Sequence, residues 1–167
     1  CRICNNSYLV EILNLGVQPP ANSLYEVCAA KPPNVPLRLM LCKKCSTIQL
    51  GEDVDPEYLF GKYLWVTGTS RTALKYSEKF TSKALENTNK EKPFIVEVAS
   101  NDGTFLKQFQ NSGCKVLGVD PAKNIAEIAT INGIPTIADF FTRDLAQDLL
   151  SKHPVSYTHL TLPTTPY

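Results

Sequence analysis

From position 94 onward the apolar residues switch repeatedly between two periods. Phe94-Ile95-Val96-Glu97-Val98-Ala99 is a short β-branched run and reads as a buried strand. Positions 104–111 carry Phe105, Leu106 and Phe109 at helical spacing, and Gly113 stops the helix. Lys115–Val119 reads as a second strand, and Ala122–Asn132 as a second helix closed by Gly133. Pro135–Ala138 is a third strand, and Thr142–Lys152 a third helix with Leu145 and Leu149 facing inward. Strand and helix alternating at this spacing predict a parallel sheet with right-handed crossovers.

The residues before 94 behave differently. Pro19, Pro20, Pro32, Pro33, Pro36 and Pro56 exclude long helices from the first 60 or so residues and predict short strands. From Ser70, which with Thr69 can cap a helix, Ala73, Leu74, Ser77, Phe80, Ala84 and Leu85 recur at three- and four-residue spacing. Asn87–Lys92 is polar and reads as a connector ending at Pro93. The expected organisation is a small β-rich domain over 1–60, a helical connector over 61–92 and a partial α/β domain over 93–154. Residues 155–167 contain no Asp, Glu, Lys or Arg and are rich in Thr and Pro. The run 155–164 matches what a transposon-type sequencing adapter encodes, so a non-native tail is expected, the alternative being a Pro/Thr-rich linker. The chain starts at Cys1 rather than Met, and missing upstream residues are expected.

Composition narrows the class. With 43% hydrophobic and 20% charged residues the chain is ordinary globular material. Lys and Arg (17) balance Asp and Glu (16), which argues against a nucleic-acid partner. No apolar stretch approaches the ~18 residues of a membrane span, and no export leader opens the chain. A cytoplasmic location is the corresponding expectation.

Six cysteines add chemistry. Cys1-Arg2-Ile3-Cys4 and Cys42-Lys43-Lys44-Cys45 are paired at the spacing that lets two thiolates reach one tetrahedral ion. Zinc suits four thiolates because it imposes no geometry of its own and has no redox chemistry. The loop over 5–41 exceeds the ~15–20 residues of a compact zinc ribbon and must carry its own structure. Disulfides or redox use remain the rivals. The first needs an oxidising compartment, and the second expects a helix after the C-x-x-C, whereas Cys42-Cys45 lies between the strand-like segments Pro36–Leu41 and Thr47–Leu50. Cys28 and Cys114 are expected to be small buried apolar side chains.

In an open α/β sheet ligands bind at the carboxyl ends of the strands. Those ends carry Glu97 to Thr104, then Asp120-Pro121, then Asp139-Phe140-Phe141. Asp120 follows Gly103 at close to the ~20 residues at which an acid meets a ribose in a dinucleotide fold. A single glycine in the first loop argues against a dinucleotide, whose pyrophosphate needs backbone approach at several glycines. Asp102 would repel a phosphate and tolerate a cationic nucleoside such as S-adenosylmethionine. Each piece also has a plain reading. Asn-Asp-Gly-Thr is a common turn and helix cap, Asp-Pro an ordinary strand end, and both phenylalanines can be core.

These motifs together resemble the sugar C-methyltransferase family, which methylates a carbon of nucleotide-activated deoxy-4-keto sugars. The resemblance covers residues 1 to about 152. It is carried by the two cysteine pairs, Leu13-Asn14-Leu15-Gly16, Gln18-Pro19-Pro20-Ala21-Asn22, Pro36-Leu37, Gln49-Leu50, Leu59-Phe60, Tyr63 and Thr67-Gly68-Thr69-Ser70. Glu97 to Gly103 and Gly118-Val119-Asp120-Pro121 complete it. It implies a zinc-binding β-rich domain ahead of a Rossmann-like class I methyltransferase sheet, incomplete here, and a further sugar-holding domain. It also implies S-adenosylmethionine and Zn(2+) as cofactors and a nucleotide-activated sugar as substrate. By position, Glu97, Ala99, Asn101 and Gly103 would line the methionine end of the cofactor. Asp120, with Pro121 after it, would hold the ribose, and Asp139 and Phe140 would flank adenine. Ser70 is a further cofactor candidate, and Tyr63 a weak catalytic candidate that core packing explains equally well. The family's base lies downstream, and His153 and His159 are poor substitutes. A chain ending after three strands would leave its first strand as an unpaired apolar edge, and is expected to be poorly soluble or molten and inactive. Two other readings stand beside this one: a methyltransferase acting on another small molecule, and a non-catalytic zinc-module adaptor whose α/β domain binds a nucleotide or a protein.

Overall fold

A computed structural model describes residues 1–21, 23–88 and 93–152. Asn22, the last four residues of the connector, His153, Pro154 and the whole tail at 155–167 lie outside the described residues. The chain divides into two compact units, Cys1–Leu59 and Phe60–Tyr167.

The first unit is an antiparallel sheet in the order β1 (Leu9–Gln18), β2 (Val35–Cys42), β3 (Ile48–Leu50), followed by a single helical turn, α1 (Pro56–Phe60). The predicted strands are there, but β1 at 10 residues is longer than the proline pattern suggested. Its register against β2 slips twice, between Glu11 and Leu13 and between Asn14 and Val17. These bulges break the alternation of side chains that marks a strand in a sequence. At the second slip Gly16 has φ 73°, and its N–H donates to Asn14 Oδ1 at 2.9 Å. Of the described residues in this unit only Pro20 and Cys42 are buried. Cys28 is exposed, contrary to expectation. It sits in the irregular stretch between β1 and β2, where small apolar character alone buries nothing.

The second unit is a three-stranded parallel sheet in the order β4 (Phe94–Val98), β5 (Lys115–Val119), β6 (Thr136–Ile137). Helices α3 (Thr104–Asn111), α4 (Lys123–Ile131) and α5 (Arg143–Lys152) follow the three strands in turn. This is the strand–helix alternation read from the hydrophobic pattern. β4 and β5 pair in step from Phe94↔Lys115 to Val98↔Val119, so their carboxyl ends finish level. Among the described residues β4 pairs with β5 alone.

Apolar side chains fill both faces of the sheet. Ile95 and Val116 pack with Leu106, Phe109, Cys114, Ala129 and Ile134 on the α3 and α4 side. Val96 and Val119 pack with Leu149, Leu145 and Ile137 on the α5 side. Helices on both faces are the doubly wound arrangement. Helix α2 (Arg71–Glu86) joins the α3 side through Phe80, Ala84 and Leu85. Its Ser70 cap accepts from Ala73 N–H at 3.3 Å. Phe80 meets Phe105 and Phe109 edge to face, with centroids 5.7 and 6.2 Å apart. Such pairs add ~0.5–1.5 kcal/mol beyond their buried area. The effect is to fix the chain just before α2 over the carboxyl end of the sheet.

Candidate functional site

The four paired cysteines come together. Cys1, Cys4, Cys42 and Cys45 place their sulfurs within 4.8 Å of one another. The Cys1–Cys45 and Cys4–Cys42 sulfurs are 3.7 and 3.6 Å apart. A tetrahedral zinc with Zn–S bonds of ~2.3 Å requires sulfur separations of about 3.8 Å, so the donor set and its spacing fit that ion. All six cysteines are free thiols.

Each pair is shaped by the same turn. Asn5 N–H donates to Cys1 C=O and Ser46 N–H to Cys42 C=O, both at 2.9 Å. Both closing residues are left-handed, with φ 55° at Asn5 and 59° at Ser46. That conformation is uncommon outside glycine, and Asn tolerates it best. The turn aims backbone N–H groups at sulfur. The Cys45 N–H, assisted by the Asn6 amide and the Lys44 N–H, pulls the Cys42 thiol down to about 6 against the effect of burial. Asn6 Nδ2 reaches that sulfur at 3.6 Å. Cys4 moves the other way. The Asn6 backbone N–H lowers it, but burial and the Cys45 and Cys42 thiols outweigh that and leave it raised. One thiolate is therefore ready near neutral pH, and a cation would supply the compensation that Cys4 lacks.

The second cluster lies at the carboxyl ends of β4 and β5. The loop after β4 is tightly wound, with Ala99 at φ 57°, Asn101 at 50° and Gly103 at 77°. Ala99 has no polar side chain to favour that conformation, so the strain is imposed by the surroundings. Ala99 and Ser100 N–H both donate to Val119 C=O, at 2.8 and 3.3 Å. A Cβ on Gly103 would meet Ile134 at 2.9 Å, so the position needs glycine for space as well as for conformation.

Asp120 ties the two strand ends together. Its Oδ2 accepts from Asn101 N–H at 2.8 Å and its Oδ1 from Ala122 N–H at 2.9 Å. The carboxylate is buried. Glu97 is buried in β4, Ala99 is exposed, and Pro121 is half-buried beside Asp120. The buried Ser100 hydroxyl, which has no hydrogen-bond partner among the described residues, lies over Gly118, where a Cβ would come within 2.4 Å of it. Asp139 is exposed at the end of β6, where its Oδ1 accepts from Phe140 N–H at 2.7 Å, and Phe140 is half-buried. A shallow groove lined by Ala126, Glu127, Thr130, Ile131, Thr136 and Ala138 lies apart, on α4 and β6.

Two side chains of the loop are engaged with the chain ahead of α2. Asp102 is not offered to a ligand. Its Oδ2 accepts from Gly68 N–H at 3.0 Å, and its Oδ1 from Thr104 N–H and Oγ1–H at 3.3 and 2.7 Å. Its two oxygens are engaged in holding the chain at Gly68 and Thr104. Asn101 Oδ1 accepts from Thr67 N–H and Oγ1–H at 2.8 and 3.0 Å, while its Nδ2 donates to Trp65 C=O at 3.0 Å. Tyr63 joins the same region through its backbone, where its N–H and C=O pair with the Asn124 side-chain amide at 3.1 and 2.8 Å. Asn124 was not singled out from the sequence; its position at the start of the helix after Asp120-Pro121 is the only signal it gave. Ser70 serves as the cap of α2. Among the described residues no helix is long and apolar enough to cross a membrane.

Residues 1–60 match a family described as "Putative zinc binding domain". Over 156 residues, 92% of this chain, the sequence is 29% identical to the C-methyltransferase NovU of Streptomyces niveus. The chain spans 37% of that relative's length. Both findings support the resemblance to the sugar C-methyltransferase family. Two solved structures overlap part of the fold. One is magnesium protoporphyrin IX methyltransferase from Synechocystis PCC 6803 with bound SAM, at a TM-score of 0.37 and 9% identity, over 40% of this chain and 36% of that one. The other is the plantazolicin methyltransferase BpumL in complex with SAH, at 0.34 and 19%, over 40% and 29%.

Proposed function

We propose that this chain carries the zinc module and the cofactor-binding strand ends of an S-adenosylmethionine-dependent methyltransferase, one that methylates a carbon of a nucleotide-activated deoxy-4-keto sugar. The observation that carries the reading is the junction of the Ala99–Gly103 loop with Asp120. Left-handed backbone, a buried carboxylate and a glycine that tolerates no Cβ are concentrated where an open α/β sheet binds its ligand. The relationship to a C-methyltransferase over most of the chain, joined to a four-thiol module, favours carbon methylation over the other readings.

In this reading Ala99 and Gly103 bring bare backbone to the methionine end of the cofactor, with Glu97 and Asn101 beside them. Asp120 has lone pairs left on both oxygens after its two backbone bonds, and these accept the ribose hydroxyls. Pro121 limits the freedom of that strand end, and Asp139 and Phe140 flank the adenine. S-adenosylmethionine supplies an electrophilic methyl group. The carbon next to the sugar's keto group becomes nucleophilic once a base removes its proton, and donors to the developing enolate oxygen lower that barrier.

Calorimetry of the zinc-loaded chain with S-adenosylmethionine tests the cofactor site. A one-to-one isotherm that Asp120→Ala abolishes is expected. A folded chain that gives no heat would sink the assignment and favour the adaptor reading.

A further inference from the structure

One segment of the second unit has a feature that the proposed chemistry does not use. Residues 61–69 contain no α-helix or strand, only a 3-10 turn at Thr67–Thr69, yet they are fastened at two separate places. At the β5 end, Asn124 pairs with both backbone groups of Tyr63, and Lys123 N–H donates to Gly61 C=O at 3.3 Å. At the β4 end, Asn101 and Asp102 hold Trp65 C=O, Thr67 N–H and hydroxyl, and Gly68 N–H. A Cβ on Gly68 would meet Asp102 Oδ2 at 2.6 Å, so the approach is as close as backbone allows. The segment thus runs as a strap from one strand end to the next, then enters α2, itself anchored by Phe80 on Phe105 and Phe109.

The geometry points to the side chains of Asn124, Asn101 and Asp102 as positioning groups, which set the strap over the cofactor, while Asn101 faces the methionine end through its backbone. This rests on the cofactor site proposed above. Asn101 Oδ1 already accepts two bonds and its Nδ2 has donated one, and the Asn124 amide has matched acceptor and donor to one residue. Side chains with their polar groups turned onto a backbone segment act through that segment. What the strap offers in turn is Trp65, the only tryptophan in the chain and 55% exposed. Its carbonyl is held by Asn101 Nδ2, so the exposed indole rides on the strap and offers a flat face for stacking.

The test uses the zinc-loaded full chain and S-adenosylhomocysteine as probe, reading affinity by calorimetry and the strap by Trp65 emission. Binding to the unsubstituted chain is expected to change the emission. Asn124→Ala is expected to weaken binding about tenfold, of the order of one or two lost hydrogen bonds, and to shrink the emission change. Asn124→Asp keeps the acceptor for Tyr63 N–H and should fall between. Thr67→Val, which alters the strap alone, should weaken binding in the same direction and stands in if Asn124→Ala does not fold. Full affinity with a full emission change in Asn124→Ala, or in Thr67→Val where that variant stands in, overturns the proposal. Binding to the unsubstituted chain with silent emission also overturns it and leaves the cofactor site intact. A folded chain that does not bind the probe overturns both.

Discussion

Two neighbours in the strand-end loop should respond to substitution with opposite signs. Ala99 at φ 57° pays for a conformation that glycine adopts freely. Ala99→Gly is expected to stabilise the α/β unit by about 1 kcal/mol in denaturant unfolding. Gly103→Ala keeps a left-handed φ and drives a methyl into Ile134, so a loss of ~1–3 kcal/mol is expected in the same measurement. Equal signs would mean that the loop is not held as described. At the cysteine cluster, the thiol of Cys42 sits at about 6, below its ordinary value of 9.0. A group depressed in the folded chain stabilises it above the unfolded value and loses that contribution as the pH falls through the folded one. In metal-free chain the first thiolate absorbance should therefore appear near pH 6, and Cys42→Ser should remove that step. At this scale the sequence marked the Glu97–Gly103 loop and Asp120, which the structure joins through the Asn101 N–H bond to the Asp120 carboxylate. It did not show where Asn101 and Asp102 point, because their partners lie 34 to 36 positions away on a segment with no periodicity to read.

Among elements, the strands and helices after Phe94 were legible because each buries one face at a clean period, and α3 and β5 fall on the predicted bounds. β1 was not, since two bulges scramble its alternation. Helix α2 was legible as a helix, but not as a partner of α3; aromatic edge contacts between helices leave no trace in spacing. In the first unit's sheet only Cys42 is buried, and Pro20, just beyond β1, is the one other buried residue among those described in this unit. Its stability must then come largely from the metal, as in other small modules. Chelation of zinc is expected to collapse amide-exchange protection in β1, β2 and β3 and to leave β4 and β5 protected. Protection retained in β2 without metal would refute this.

For the molecule as a whole, the sheet of the first unit leaves Leu13, Leu15, Val17, Ile48 and Leu50 exposed, with Leu24 and Val27 in the adjoining loop. Apolar surface on that scale promotes association. Sedimentation at rising concentration should show the chain self-associating, and Leu15→Lys together with Val17→Lys should reduce it. The matched cysteine turns also set an order of events. A C-x-x-C closes a ring of a few residues, and loops of that size form in well under a microsecond. Joining the two pairs instead requires the chain over 5–41 to come together, a slower search whose entropy grows only logarithmically with length. Each pair is thus a ready clip, and an ion caught by one waits for the other. Zinc uptake by the unfolded module should be biphasic in stopped flow, with a concentration-dependent capture followed by a first-order closure. Lengthening the stretch between β1 and β2 should slow the second phase and leave the first alone.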